Sequence, residues 1–238
     1  MFPTEKKLGI IGGMGSFASA NLYNTILSKS PARNDAEHIE IIIHNNARIP
    51  DRTRGILYNG PDPFPEILRS ARMMDSLQVD YLLMACVTAH YYYDILQEKL
   101  HYTTILNLLD VLTNHIREHL PAVKTIGLLA TTGVIKTQMW HKKLRNIGVE
   151  VICLPQTEQE SLFMEAIYGD KGVKSGMVSD EPQKRLIEAC HMLTAMGADA
   201  ILSSCSEIPL VLRQQHVEVL LIDAFDVLTD YVLKQFYS

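Results

Sequence analysis

Residues 80–86 read DYLLMAC and residues 199–205 read DAILSSC. Each is an aspartate followed by an apolar run that closes on a cysteine. Two further echoes keep the same order: GIIGGMG at 9–15 is answered by GLLATTG at 127–133, and DVLT stands at both 110–113 and 226–229. Three short matches at nearly one offset, 116 to 119 positions, read as an internal duplication with units of about 115 residues.

Around these echoes, short runs rich in Ile, Val and Leu alternate with longer amphipathic segments. KLGIIG precedes FASANLYNTILSKS, IEIIIHN precedes FPEILRSARMMDSL, DYLLMAC precedes HYYYDILQEKL, and TTILNL precedes DVLTNHIREHL. Apolar runs of this length bounded by Gly, Asn or Pro predict buried parallel strands, and the segments between them predict crossover helices. The class is therefore α/β, with two similar doubly wound parallel-sheet domains. A closing strand and helix can cross to the partner unit, so the expected division is 1–105 plus 215–238 for the N-terminal domain and 106–214 for the C-terminal one.

The 238 residues are 47% hydrophobic and 21% charged, the balance of a globular protein with ample core. A net charge of -5 gives no basic footprint for nucleic acid and no polybasic patch for lipid. No stretch approaches the roughly 18 apolar residues of a membrane span, and the N-terminus lacks the features of a signal peptide. Cys86, Cys153, Cys190 and Cys205 are scattered without a CxxC pair or zinc-ligand spacing, so reduced cytoplasmic thiols and no metal site are expected.

Cys86 and Cys205 hold equivalent places at the carboxyl ends of strands, where ligands of open parallel sheets bind. If the units face each other about a pseudo-twofold axis, the two thiols approach one cleft from opposite sides. Inverting a carbon through a planar carbanion needs a base on one face and an acid on the other, and two thiols supply both roles. A helix N-terminus or a nearby cation would favour the thiolate. Cys153, within VEVICLP, and Cys190, on the expected helix QKRLIEACHML, read instead as packing residues.

The strings GIIGGMG, HNNARIPDRT at 44–53, GPDPFPEIL at 60–68, CVTAH at 86–90, LLATTG at 128–133, GVKSG at 172–176, SCSEIPL at 204–210 and LIDAFDV at 221–227 carry a resemblance over nearly the whole chain. The sequence resembles the cofactor-independent aspartate/glutamate racemase superfamily, and within it the aspartate racemases most closely. The resemblance implies two α/β domains about a pseudo-twofold axis, a site at the domain interface, a homodimer, and an isomerase that interconverts L- and D-aspartate without pyridoxal phosphate or metal. It matches Cys86 and Cys205 to the catalytic pair, and Arg52 and Lys174 to the cations that hold substrate carboxylates.

Chemistry agrees with that transfer, because a planar guanidinium grips a carboxylate in two places and neutralising the α-carboxylate eases loss of the α-proton. Lys174 lies in GDKGVKSGMVS, a glycine-containing segment suited to closing over a cleft. Substrate contacts are further expected from Met14 in the GGMG turn, from Thr53 and Val87, from Thr131 with Thr132 in the matching turn, and from Thr88 and Ser206, both also expected as helix caps. His90 and Glu207, four and two residues past their cysteines, are expected to orient a thiol or tune it.

The chain departs from the aspartate racemases at Val87, where the family usually has asparagine in CNTAH. That leaves open glutamate or another amino acid as substrate, or a binding protein without turnover. A competing reading takes Gly13, Gly15 and Ala18 as a G-x-G-x-x-A dinucleotide fingerprint. That reading needs an acidic residue closing the next strand, and IEIIIHNN ends in histidine and asparagine. Tyr91, Tyr92 and Tyr93 point three ways on an expected helix, so some must be exposed or covered by a partner.

Overall fold

A computed structural model describes residues 2–176 and 179–237. The strands β1 (Lys7–Gly12), β2 (Glu40–Asn45), β3 (Tyr81–Met84) and β4 (Thr104–Ile105) form one parallel sheet in the order β2-β1-β3-β4. A second parallel sheet holds β5 (Thr125–Ala130), β6 (Glu150–Ile152), β7 (Ala200–Ser204) and β8 (Leu220–Asp223) in the order β6-β5-β7-β8. Strand for strand the two orders are the same.

The helices of the first half are α1 (Ser16–Lys29), α2 (Arg52–Leu57), α3 (Phe64–Ser76), α4 (Tyr93–Gln97) and α5 (Leu108–His119). In the second half, α6 (Thr132–Lys136) and α7 (Met139–Arg145) precede β6. An unbroken helical run follows β6, with α8 (Gln156–Glu158) and α9 (Glu165–Tyr168) flanking π-helical turns at Gln159–Met164; then come α10 (Glu181–Ala195) and α11 (Ala224–Phe236). Among the described residues no helix is long and apolar enough to cross a membrane.

The chain divides into two compact units, one running through Val111 and resuming at Phe225, the other spanning Leu112–Ala224. Most of α5 thus belongs to the second unit and most of α11 to the first, so each unit takes the helix that follows the other's last strand. The expected division at 214/215 had assigned β8 to the first domain. Its backbone instead pairs with β7, Ala200 opposite Leu220 and Ser203 opposite Asp223, and that ladder keeps it in the second unit.

The repeated residues do repeated work. Asp80 Oδ2 accepts the Lys7 backbone N–H at 2.7 Å, at the start of β1. Asp199 Oδ2 accepts those of Lys124 and Thr125 at 2.9 and 2.8 Å, at the start of β5, and these bonds hold its carboxyl below the usual range. Gly9 and Gly127 are the central residues of β1 and β5 over which a helix closes: a Cβ on Gly9 would lie 2.9 Å from Val79 and 3.2 Å from Met74, and one on Gly127 would lie 2.7 Å from Ile201 and 2.9 Å from Leu193. In both units a methyl would force neighbouring side chains to shift, so close packing favours glycine twice.

The first core packs Ile11, Ile67, Met74, Leu82, Leu96 and Ile105, and the second Leu129, Phe163, Ile167, Leu186, Leu193 and Ile201. The run IEIIIHN departs from the buried expectation. It forms the edge strand β2, pairing on one side only, and Ile43 is 40% exposed.

Candidate active site

In a sheet of order β2-β1-β3-β4, the chain winds one way from β1 to β2 and the other way to β3, so the switch point lies between the carboxyl ends of β1 and β3. The first strand's turn carries Met14, and the strand across the switch point leads into Cys86. The second unit has the same plan: β5 leads into Thr131 and β7 into Cys205. Ile11 pairs with Met84, and the Ala85 N–H continues the ladder to the Ile11 carbonyl at 2.9 Å; Ala130 pairs with Ser204. Each cysteine is therefore the first residue past the ladder at its own switch point. Both are buried and unbridged, each 6% exposed.

Around Cys86 the site is built from β1, α2 and a 3₁₀ turn at Thr88–Tyr92. Asp51 caps α2 by accepting the Arg54 N–H at 2.8 Å, which fixes Arg52 as its first residue. The buried Arg52 guanidinium donates to the Met14 carbonyl at 2.5 Å and the Pro50 carbonyl at 3.0 Å, so it is seated under the β1 turn. The Met14 side chain is part of the core, so its contribution to this turn is its backbone. Thr53 is buried beside Arg52 in sequence, and its hydroxyl has no hydrogen-bond partner among the described residues.

Val87 is 2% exposed and stands where a cap residue would, without a side-chain cap bond. Thr88, expected as a cap, is instead the first residue of the turn and is itself buried. His90 Nδ1 lies 3.1 Å from the Cys86 carbonyl, which can only accept, so the ring carries its proton on Nδ1. Burial pushes His90 down to about 4 despite backbone bonds that work the other way. A neutral imidazole thus holds the Cys86 backbone through its carbonyl.

The expected helix after Cys86 is a 3₁₀ turn followed by the five residues of α4, and after Cys205 only a 3₁₀ turn at Ile208–Leu210 follows. Neither thiol sits at the start of a long helix, so the expected help of a helix N-terminus to a thiolate is not met. Tyr91 is half exposed, whereas Tyr92 is buried, 5.5 Å from the ring of Phe64 and edge-on to Tyr91 at 5.1 Å.

Around Cys205 the neighbours are charged. Its thiol donates to Glu207 Oε2 at 3.0 Å, and the Ser206 hydroxyl donates to the same oxygen at 3.2 Å. Ser206, the second expected cap, spends its hydroxyl there. Lys174, in a 3₁₀ turn at Val173–Ser175, donates to the other carboxylate oxygen of Glu207 and lies 5.3 Å from the Tyr168 ring centroid. Burial pushes the Cys205 thiol well above its ordinary range, the Glu207 carboxylate adds to that, and the Lys174 ammonium opposes it. Met177 and Val178 of the segment expected to close lie outside the described residues.

Thr131 caps α6, accepting the Val134 N–H at 3.4 Å, and the Thr132 hydroxyl donates to Glu160 Oε1 at 3.0 Å. Three residues that sequence reading passed over join this corner. Trp140 is fully buried and donates from Nε1 to the Ser204 hydroxyl at 2.5 Å, next to Cys205. Gln159 is buried at the first π-helical turn and donates to the Ala130 carbonyl at 2.9 Å, closing the end of β5; π-helical turns recur at functional sites. Glu160 receives Thr132. The lone tryptophan was the available signal; a π-turn leaves none in a single sequence.

Of the other cysteines, Cys190 is fully buried on α10 and pushed up to about 12 by burial, and Cys153 is half-buried, 3.7 Å from His141 and pushed up to about 11. The dinucleotide reading also meets a steric answer. Gly13 has φ +84, and a Cβ there would lie 2.3 Å from the Asn46 carbonyl carbon. Its N–H is taken by the Ser19 hydroxyl at 3.2 Å. The glycine therefore serves a close approach within the chain.

Two repeated α/β units, each with a cysteine just past the strand across its switch point, define a duplicated cysteine-bearing α/β protein. The profile of the Asp/Glu/Hydantoin racemase family matches residues 11–232, and the chain belongs to that family. It is an isomerase of the racemase class. The chain is similar to the broad specificity amino-acid racemase RacX of Bacillus subtilis, 23% identical over 91% of this chain and 92% of that protein. In structure it is similar to the aspartate racemase of Picrophilus torridus, with TM-score 0.81 and 23% identity over 96% of this chain and 93% of that one. It also resembles glutamate racemase from Francisella tularensis, with TM-score 0.68 and 15% identity over 97% and 80%. These likenesses bear out the two-domain α/β fold class.

Proposed function

We propose that the chain racemizes an acidic amino acid, aspartate first among them, with Cys86 and Cys205 as its two bases. The observation that carries this is their equivalence: two units with one strand order place a buried, unbridged cysteine at the same step past the same strand. In the forward direction one thiolate takes the α-hydrogen. The C–H bond breaks, an S–H bond forms, and the electron pair spreads into the α-carboxylate. The other thiol then gives its proton to the opposite face, a new C–H bond forms, and its sulfur is left as thiolate. Protons balance, and the enzyme emerges with its two thiols exchanged in role.

Arg52 and Lys174 are the proposed carboxylate partners, with Thr53 beside Arg52 on α2, Thr88, Thr131 and Ser206 just past β3, β5 and β7, and Met14 offering backbone only. The chemistry calls for no added electron sink if the cations neutralise the carboxylate as charge develops on it. A homodimer and a cytoplasmic setting belong to the same reading, on the family resemblance.

One observation favours a second reading. Val87 is 2% exposed where the aspartate racemases usually carry an amide, which suits an amino acid with a less polar side chain. The test of both is exchange of the α-proton with solvent deuterium over a panel of L- and D-amino acids. Exchange of aspartate, lost for one enantiomer in Cys86→Ala, supports the first reading. Exchange confined to apolar amino acids supports the second. Equal background exchange by wild type and Cys86→Ala across the panel would sink catalysis altogether.

A further inference from the structure

A carboxylate stands beside Cys205, where the matching position after Cys86 is Thr88. Glu207 has a side chain only 4% exposed, and it accepts from the Cys205 thiol at 3.0 Å, from the Ser206 hydroxyl at 3.2 Å and from the Lys174 ammonium. A buried carboxylate persists when it is paired, and Lys174 supplies that pair. With Glu207 ionised, a thiolate 3.0 Å away would add a second buried anion, whereas a thiol gives it a hydrogen bond. The charged groups bearing on Cys205 come from its own turn, Glu207, and from the turn at Val173–Ser175, Lys174. At the position two past Cys86 stands Thr88, and the titratable His90 bonds the Cys86 carbonyl rather than its sulfur.

We propose that Glu207 is a positioning residue that keeps Cys205 protonated in the empty site, so that Cys205 is the resting acid. This rests on the racemase reading.

The test follows the ultraviolet absorbance of the Cys205 thiolate against pH, taken as the difference between each protein and its Cys205→Ser counterpart. Glu207→Gln is expected to form thiolate at lower pH than wild type, by about one pH unit, a tenfold larger thiolate fraction at a fixed pH in the titration's lower limb. Glu207→Asp, which keeps the charge, is expected to stay near wild type, and Lys174→Met to move the other way. Coincident titrations of wild type and Glu207→Gln would overturn the proposal, as would Glu207→Asp moving as far as Glu207→Gln. Circular dichroism reports whether Glu207→Gln folds; if it does not, an unmoved titration in Lys174→Met overturns the proposal by itself. None of these readings requires turnover, so a protein that racemized nothing would still answer, and a working racemase with unmoved titrations would keep its function and lose this device.

Discussion

Cys86 and Cys205 leave their sheets at the same step, but one is followed by Val87, a buried Thr88 and a histidine bonded to its own carbonyl, and the other's thiol meets a carboxylate that a hydroxyl and an ammonium share. The frame that presents the thiols is duplicated down to the aspartate that ties off the first strand and the glycine over which a helix closes. The chemistry set on that frame is not. Backbone geometry recurs in both halves, while the side chains that follow each cysteine differ.

The largest effect expected from breaking this comparison comes from the thiols themselves. Cys86→Ser and Cys205→Ser should each lower racemization by roughly a thousandfold, within the usual range for removing an acid or base. Each variant should keep α-proton exchange for one enantiomer, and for opposite enantiomers, since each retains the thiol on one face. Deuterium incorporation followed separately for L- and D-substrate reads this out. Loss of the same enantiomer's exchange in both variants would mean that the thiols do not flank one carbon.

Next comes acid stability, which belongs to the first unit. Burial pushes His90 down to about 4, against an unfolded value of 6.5. The neutral ring is the folded form, so its contribution is whole above about pH 6.5 and is lost as pH falls toward about 4, the unfolded chain binding the extra proton. The shift corresponds to up to about 3 kcal/mol. His90→Asn, which keeps an N–H donor but does not titrate, should lose less stability than wild type across that window in urea titrations. Parallel losses in the two proteins would remove His90 as the cause.

A third effect belongs to the second unit. Trp140 Nε1 donates to the Ser204 hydroxyl at 2.5 Å, both residues being fully buried. In the duplicated register Ser204 corresponds to Ala85, which offers no hydroxyl, so the first unit has no such tie. Trp140→Phe keeps most of the apolar contact and leaves the hydroxyl without that donor, at a cost of about 2 kcal/mol. Pairing it with Ser204→Ala should recover part of the loss; a double variant no better than Trp140→Phe alone would show the packing, not the bond, to be what matters.

These contrasts also mark what a single sequence reveals. The duplication was legible because Asp80 and Asp199, Gly9 and Gly127, and Cys86 and Cys205 answer backbone geometry that admits few other residues. The element beyond each cysteine was not legible: CVTAHYYYDIL and CSEIPL carry helix-like composition, but the first forms a 3₁₀ turn with a short helix and the second a 3₁₀ turn only. The edge position of β2 was hidden because IEIIIHN is as apolar as a central strand, and which strand pairs on one side only is decided by the order of the sheet. The Glu207, Lys174 and Cys205 cluster joins residues 33 apart in the chain, and no local pattern announces it.

The smallest expected effect bears most directly on substrate. Val87 and Ser206 follow their cysteines at matching positions; Ser206 is already engaged with Glu207, and Val87 presents a branched apolar side chain 2% exposed. Its backbone, φ -62 and ψ -45, is one that asparagine adopts without strain, and its carbonyl already accepts the His90 N–H at 2.9 Å. Val87→Asn therefore adds an amide without asking the turn to move. If that amide reaches the substrate, one charge-assisted hydrogen bond should raise the ratio of kcat/KM for aspartate to that for an apolar amino acid by about tenfold. If it reaches nothing, a buried amide without partners costs about 1–3 kcal/mol of stability and leaves the ratio unchanged. Measuring both quantities on one variant separates a pocket wall from a packing residue, because the first outcome moves selectivity and the second moves only the denaturation midpoint.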